Sequence, residues 1–284
     1  MPLREPSTGT GRRAKAVAVA AVVTVLAAVG TAGSSLLGGG GTAEEGAGAS
    51  PGPRASASAS ASASASPSPT PRAGAAEQPT IPGWKVVVNP EFGTAFDVPP
   101  DWDVKDPAAL YGFQDSTIDP DVPANWDKFI VLASGFASLR DEWCVPDIDT
   151  SGRVKGTELA GAGTKGAKGA PDTDRLALNQ AAAWVYGGYT QPDKKSIISD
   201  RTAKPYTTKS GVKGSVAWAR SKNAPRKNRC SSEGKAVAFG FRNSAGGYVA
   251  WVLYGAAGVR DELPDSTVMR ILGTVRLHGT PKKG

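Results

Sequence analysis

The stretch Ala236–Tyr254, AVAFGFRNSAGGYVAWVLY, decides the fold. Ala236 to Arg242 and Tyr248 to Tyr254 are short runs of apolar and aromatic residues, and Asn243-Ser244-Ala245-Gly246-Gly247 between them is turn chemistry. Two such runs joined by a short turn form an antiparallel hairpin. Working outward, Ser196 to Thr208 and Gly214 to Arg220 read as two more strands around a Lys209-Ser210-Gly211 turn. Upstream, Trp84 to Val88 is a β-rich run, and Asn89-Pro90-Glu91-Phe92-Gly93 turns the chain. Thr94 to Val98 then alternates with Phe96 and Val98 on one face, and Pro99-Pro100-Asp101 stops it before Trp102. Asp115 to Asn125 is an acidic loop punctuated by proline, and Phe129 to Phe136 is a further buried strand that leads to Trp143-Cys144.

Helices flank these strands. Asp172 or Thr173 caps a helix that runs to about Tyr186, where Gly187-Gly188 ends it. Its expected core stripe is Leu178, Ala181, Ala182, Val185 and Tyr189. A last helix starts near Pro264-Asp265-Ser266-Thr267 and turns Val268, Ile271 and Leu272 inward. Gly161 to Gly169 has the composition of a mobile Gly-Lys surface loop, and without G-K-[ST] it is no P-loop. Strands, helix, antiparallel strands and helix, in that order, specify an α+β domain: an antiparallel sheet with flanking helices.

Phe92-Gly93-x-x-Phe96-x-Val98-Pro99-x-x-Trp102 resembles the opening hairpin of the PsbP/Mog-like α/β/α sandwich. Tyr248-x-Ala250-x-Val252, then Leu263-Pro264-Asp265-Ser266 and a helix ending Ile271-Leu272-Gly273-Thr274-Val275-Arg276, is similar to that family's closing strand and helix. The chain as a whole resembles membrane-anchored actinobacterial proteins that contain a domain of unknown function. The resemblance covers most of Trp84 to Leu277, and its motifs are packing signals. It implies the sandwich fold and a mostly non-enzymatic class of accessory subunits and partner-binding modules. It brings no functional residue to a position of this sequence.

The chain before this domain has another character. Residues 1–15 are a basic tail carrying Arg4, Arg12, Arg13 and Lys15. Ala16 to Leu37 holds no charge and is the one run that reaches the roughly 20 apolar residues a transmembrane helix needs. The basic residues in front of it keep the N-terminus cytoplasmic and put the rest of the chain outside. A cleavable signal sequence has the same layout, and Ala28-Val29-Gly30 and Gly30-Thr31-Ala32 offer small residues for cleavage. Both readings export the domain. Arg12-Arg13 lacks the following apolar residue of a twin-arginine signal, and no cysteine near the run would take a lipid. Residues 38–82 are Gly, Ala, Ser and Pro with too little to bury, hence a disordered linker. As a flexible coil it would span roughly 35–40 Å. That leaves residues 83–284, about 200 of them, for one extracytoplasmic domain.

Charge is unevenly spread over that domain. Trp84 to Asp149 holds four Lys or Arg against thirteen Asp or Glu, a net of −9, while Thr150 to Gly284 has a net of +14. Lys194 to Lys235 alone carries a net of +10. Arg220, Lys222, Arg226, Lys227 and Arg229 are candidate polyanion-binding residues. Outside the cell the matching partners are an anionic wall polymer, an envelope protein or lipid headgroups, not nucleic acid. A solvated set of loops around a hairpin is the plainer reading of the same charges.

Other candidate chemistry is sparse. Cys144 and Cys230 are the only cysteines, and an exported compartment favours a disulfide between them over two separate buried thiols. His278 is the only histidine and lies six residues from the end, which removes His-based triads and His-rich metal sites. Ser210-x-x-Lys213 and Ser232-x-x-Lys235 match S-x-x-K but fall in turns between strands. Asp147, Asp149, Ser151 and Glu158 take positions 1, 3, 5 and 12 of a calcium loop, with Gly152 at position 6. Lys155 at position 9 opposes a cation there. No cofactor is expected. These features point to a membrane-anchored, non-catalytic binding or accessory domain at the bacterial cell envelope. The alternative is a wall-active enzyme working through carboxylates such as Asp141 and Glu142.

Overall fold

The computed structural model describes residues 77–118, 122–125, 127–146 and 156–282. The run Ala16–Leu37 lies outside them, and among the described residues no helix is long and apolar enough to cross a membrane. The hairpin read first is the centre of the molecule. Strands β10 (Glu233–Arg242) and β11 (Tyr248–Ala257) pair antiparallel along their whole length, Arg242 opposite Tyr248 and Glu233 opposite Ala257. Around them lie β3 (Trp102–Val104), β5 (Phe129–Leu139), β6 (Ala160–Gly166), β7 (Ile197–Ser199) and β9 (Lys213–Ser221), in the order β3-β5-β6-β11-β10-β9-β7. Strand β4 (Tyr111–Gln114) pairs with β5, and β8 (Lys204–Thr207) pairs with β9. Every pairing is antiparallel, as expected for the α+β class.

Side-chain alternation on β10 explains the layering. Ala236 and Ala238, with Gly240, face α1 (Thr173–Val185), while Val237, Phe239 and Phe241 face the opposite layer. Small residues on the first face let the helix approach closely: a Cβ at Gly240 would come 2.6 Å from the Thr173 carbonyl oxygen. On the other face a second sheet, β1 (Lys85–Asn89), β2 (Thr94–Val98) and β12 (Arg276–Leu277), packs together with α2 (Asp265–Leu272). Phe96 meets Trp251 edge-on at 5.9 Å, and Val268, Ile271 and Leu272 complete that core as the sequence predicts. Each large side chain buried there contributes about 1.5–3 kcal/mol.

Three expectations need correction. Gly161 to Gly169 is not a surface loop: Gly161 to Gly166 belongs to β6, a central strand paired with β5 and β11. Its glycines are there because aromatic side chains press against them. A Cβ at Gly161 would meet Phe136 at 2.4 Å and the Tyr254 hydroxyl at 2.8 Å, and one at Gly166 would meet Phe92 at 2.5 Å. The core stripe of α1 is turned from the expected one, to Leu176, Ala177, Ala181, Trp184 and Val185. Trp184 sets that rotation by stacking on Tyr254 at 4.9 Å, so Leu178 and Ala182 lie at the margin. Residues 77–82, given to the linker on composition, pack on the domain. Ile81 is buried, Thr80 donates to Asp97 from both its backbone N–H and its hydroxyl, and Glu77 pairs with Arg276. Asp97 is fully buried and also accepts from Arg276 at 2.8 Å, which ties β2 to the last strand, β12.

The predicted helix cap is present. Asp172 Oδ1 accepts from the Arg175 N–H at 2.6 Å. Asp172→Ala should therefore cost about 1 kcal/mol. In a domain of this size that is a drop of roughly 2–4 °C in a thermal melt.

Candidate functional site

One end of the large sheet carries an open cleft of about 900 Å³ with a smaller pocket beside it. Its first wall is β4, held against β5, which presents Tyr111 and Phe113. Its second wall is the turn after α1. The chain does not stop at Gly187-Gly188 but continues as a single π-helical turn, Tyr186–Thr190. The two glycines are needed by Phe113, whose side chain lies 3.0 and 2.9 Å from where their Cβ atoms would be. Gln191 braces the two walls together. Its amide donates to the Gln114 and Gly187 carbonyls at 3.0 and 2.6 Å, and its oxygen accepts from Ser116 N–H at 2.8 Å.

The third wall is stapled. Cys144 and Cys230 are joined in a disulfide across 86 residues, the pairing expected of the two cysteines. Cys144 also pairs by backbone with Thr157, so the staple fixes residues 156–158 against the loop 225–232. Within that loop Ser231 Oγ accepts from the Lys227 and Asn228 N–H groups at 2.9 and 3.0 Å.

The floor is aromatic with one charged group set into it. Tyr254 lies between Trp184 and Phe113, at 4.9 and 5.1 Å, and Tyr111 stacks on Phe136 at 4.5 Å. The Tyr254 hydroxyl donates to Glu158 Oε1. Burial, and then the nearby Glu158 charge, push the Tyr254 and Tyr189 phenols well above their ordinary range, so both stay protonated donors. At the rim Lys105 forms an ion pair with Asp141. Burial opposes both charges, but their mutual hydrogen bond and attraction outweigh it. Lys105 is held above its ordinary value and Asp141 below it.

The sequence-predicted residues fall unevenly around this cleft. Asp141, Glu142 and Glu158 line it, and so does Lys227. Asp147, Asp149 and Ser151 lie outside the described residues, so of the calcium-loop ligands only Glu158 is placed, with one oxygen on Tyr254. Of the five cations, Arg220 stands apart: it pairs with Asp265 on α2 and lies over the Trp218 ring. Lys222, Arg226, Lys227 and Arg229 share the exposed segment after β9. There Arg226 donates to the Ser231 carbonyl at 3.0 Å, Lys227 Nζ to Ser116 Oγ at 3.2 Å, and Arg229 Nε to the Val145 carbonyl at 2.9 Å. Neither S-x-x-K converges. Ser210 donates to the Val275 carbonyl at 2.8 Å. Ser232 lines the cleft, whereas Lys235 turns away to Glu262 and Asp265. His278 pairs with Glu77 at the far end of the domain.

The aromatic walls were missed in the sequence. Tyr111, Phe113 and Tyr254 carry no motif, and the only local signal was Gly187-Gly188, which reads as a helix stop. Residues 77–280 match one family, described as a domain of unknown function (DUF8017). No curated protein matches the chain.

Proposed function

From a chain that belongs to the DUF8017 family, we propose a non-catalytic binding module, presented outside the membrane at the bacterial cell envelope, whose ligand occupies the cleft. The observation that carries this reading is the state of the cleft's polar groups. Glycoside hydrolysis needs one carboxyl kept protonated as the acid, with its pKa raised. Asp141 is held in the opposite state by Lys105, with its pKa lowered. Tyr254 is buried and stays protonated, so it serves as a donor and not as a nucleophile. The cleft offers a pre-formed concave surface with aromatic walls and a few fixed polar groups, the usual composition of a binding site.

The export reading comes from Ala16–Leu37, as a retained anchor or a cleaved signal, and the disulfide agrees with an oxidising compartment. The finer fold assignment, a PsbP/Mog-like sandwich, is supported by α1 on one face of the sheet and α2 on the other. A second reading, polyanion binding, keeps the exposed cations from Lys222 to Arg229 and loses Arg220, which is committed to Asp265.

The two surfaces separate in one co-sedimentation experiment with purified cell-wall sacculi and the intact protein. Thr157 is exposed and lines both parts of the cleft, so the indole of Thr157→Trp should obstruct the surface they share. We expect Thr157→Trp to abolish binding and Lys222→Glu/Arg226→Glu to leave it intact, with little dependence on salt. Exposed charges, by contrast, are screened within a Debye length of about 8–10 Å. Loss of binding in the charge-reversed variant alone, with a steep salt dependence, would move the site to the loop.

A further inference from the structure

The cleft's charge balance says what kind of ligand it fits, granted the proposal that the cleft is the binding site. Two lysines, Lys105 and Lys227, face three carboxylates, Asp141, Glu142 and Glu158, so the lining is acidic by one charge; Lys105 is paired with Asp141, and Lys227 is turned to the Ser116 hydroxyl. Two carboxylates, Glu142 and Glu158, line the same surface, and among the described residues no lysine or arginine forms an ion pair with either. Glu158 is half-buried beside Phe113, Tyr189 and Tyr254, with one oxygen bound to the Tyr254 hydroxyl. An ionised carboxylate in such surroundings gains a strong charge-assisted hydrogen bond if a cationic donor reaches its second oxygen. A neutral donor would gain a weaker bond there, and an anionic ligand none.

We propose that the cleft recognises a protonated amine carried on a small ring or chain, with Glu158 as its anionic acceptor and Phe113 as the adjoining wall. The Tyr254 hydroxyl orients the carboxylate, which leaves the outer oxygen for the ligand. Two sources offer the same ammonium: an amino sugar and the side chain of a basic amino acid. Calcium is the competing cation, because Glu158 also ends the Asp147–Glu158 loop.

Titration of the intact protein by calorimetry tests this. The probes are the glucosamine disaccharide, its N-acetylated counterpart, and Nα-acetyl-lysine methylamide. We expect the glucosamine disaccharide or the lysine derivative to bind, and whichever binds identifies the source. The N-acetylated sugar should bind about tenfold more weakly than the glucosamine disaccharide, or not at all. Glu158→Gln keeps an acceptor for Tyr254 and removes only the charge. It should weaken the cationic probe about tenfold or more and leave the neutral one unchanged. Equal binding of the two sugars, an unchanged affinity in Glu158→Gln, displacement of the probe by millimolar calcium, or no binding of either amine would each overturn the proposal. The binding-module reading fails separately, since Thr157→Trp in the sacculus assay tests it without any amine probe.

Discussion

Replacing Lys235 with alanine should destabilise the domain by about 3 kcal/mol or more, the largest effect we expect from a single side chain. Lys235 sits on β10, and its side chain is only 2% exposed. Its ammonium donates to Glu262 at 2.6 Å, to the Leu263 carbonyl at 2.5 Å and to Asp265 at 2.8 Å. The lysine thereby joins the central hairpin to the start of α2. Alanine would leave a cavity lined by two carboxylates and an orphaned carbonyl. Because Glu262 and Asp265 are partly exposed and Arg220 stays beside them, some of the loss is recovered, which keeps the effect near the lower end of the range for a broken buried pair. Lys235→Met fills the volume without the charge and should cost less than the alanine. Denaturant unfolding measures both, and a loss under about 1 kcal/mol in the alanine variant would contradict this role.

The same cluster sets the acid limit. Burial raises the pKa of Glu262 and Asp265, but the hydrogen bond and charge of Lys235 outweigh it, and both are held below their ordinary values. A carboxylate depressed in the folded state stabilises the fold above its unfolded pKa, and this contribution is lost as pH falls through the folded value. Stability should therefore decline as pH drops below about 4. That decline should be shallower in Lys235→Met, where the lysine no longer holds the two acids ionised.

Loss of the disulfide should cost up to about 4.6 kcal/mol, the chain-entropy value for closing a loop of this length. Cys144→Ser/Cys230→Ser should also lose ligand binding, because the bond fixes residues 156–158 against the loop that carries Lys227 and Asn228. The check is a pair of melting curves, with and without reductant, alongside thiol labelling of the unreduced, unfolded chain. Labelling of either cysteine in that chain, or an unchanged melting temperature after reduction, would contradict it.

What could be read in the sequence follows from how local the signals are. The hairpin Ala236–Tyr254, the capped start of α1 and the buried face of α2 were legible because turn chemistry, a cap and helical periodicity lie within a few residues of each other. The cysteine pairing was legible because only two cysteines exist. Strand β6 was not, since AGAGTKG has no strand propensity of its own; its small residues are dictated by Phe136, Tyr254 and Phe92 from elsewhere in the chain. Lys235 belongs by sequence to the basic segment 194–235, yet its side chain is buried, because burial depends on where α2 docks. The cleft was the least legible part. Its walls come from β4, the turn after α1, β11 and two loops joined by the disulfide, and no short window contains two of them.

Site-specific photo-crosslinking in living cells tests the central claim most directly. A crosslinking residue at Leu110, exposed on the rim of the cleft, reports on that surface, and one at Ile198, exposed on β7, reports on a distant edge. A third at Lys222 samples the basic loop. If the cleft holds the ligand, Leu110 should yield a discrete envelope adduct that disappears in a Thr157→Trp background, and the other two positions should not. Adducts at Lys222 or Ile198 with none at Leu110 would contradict the account.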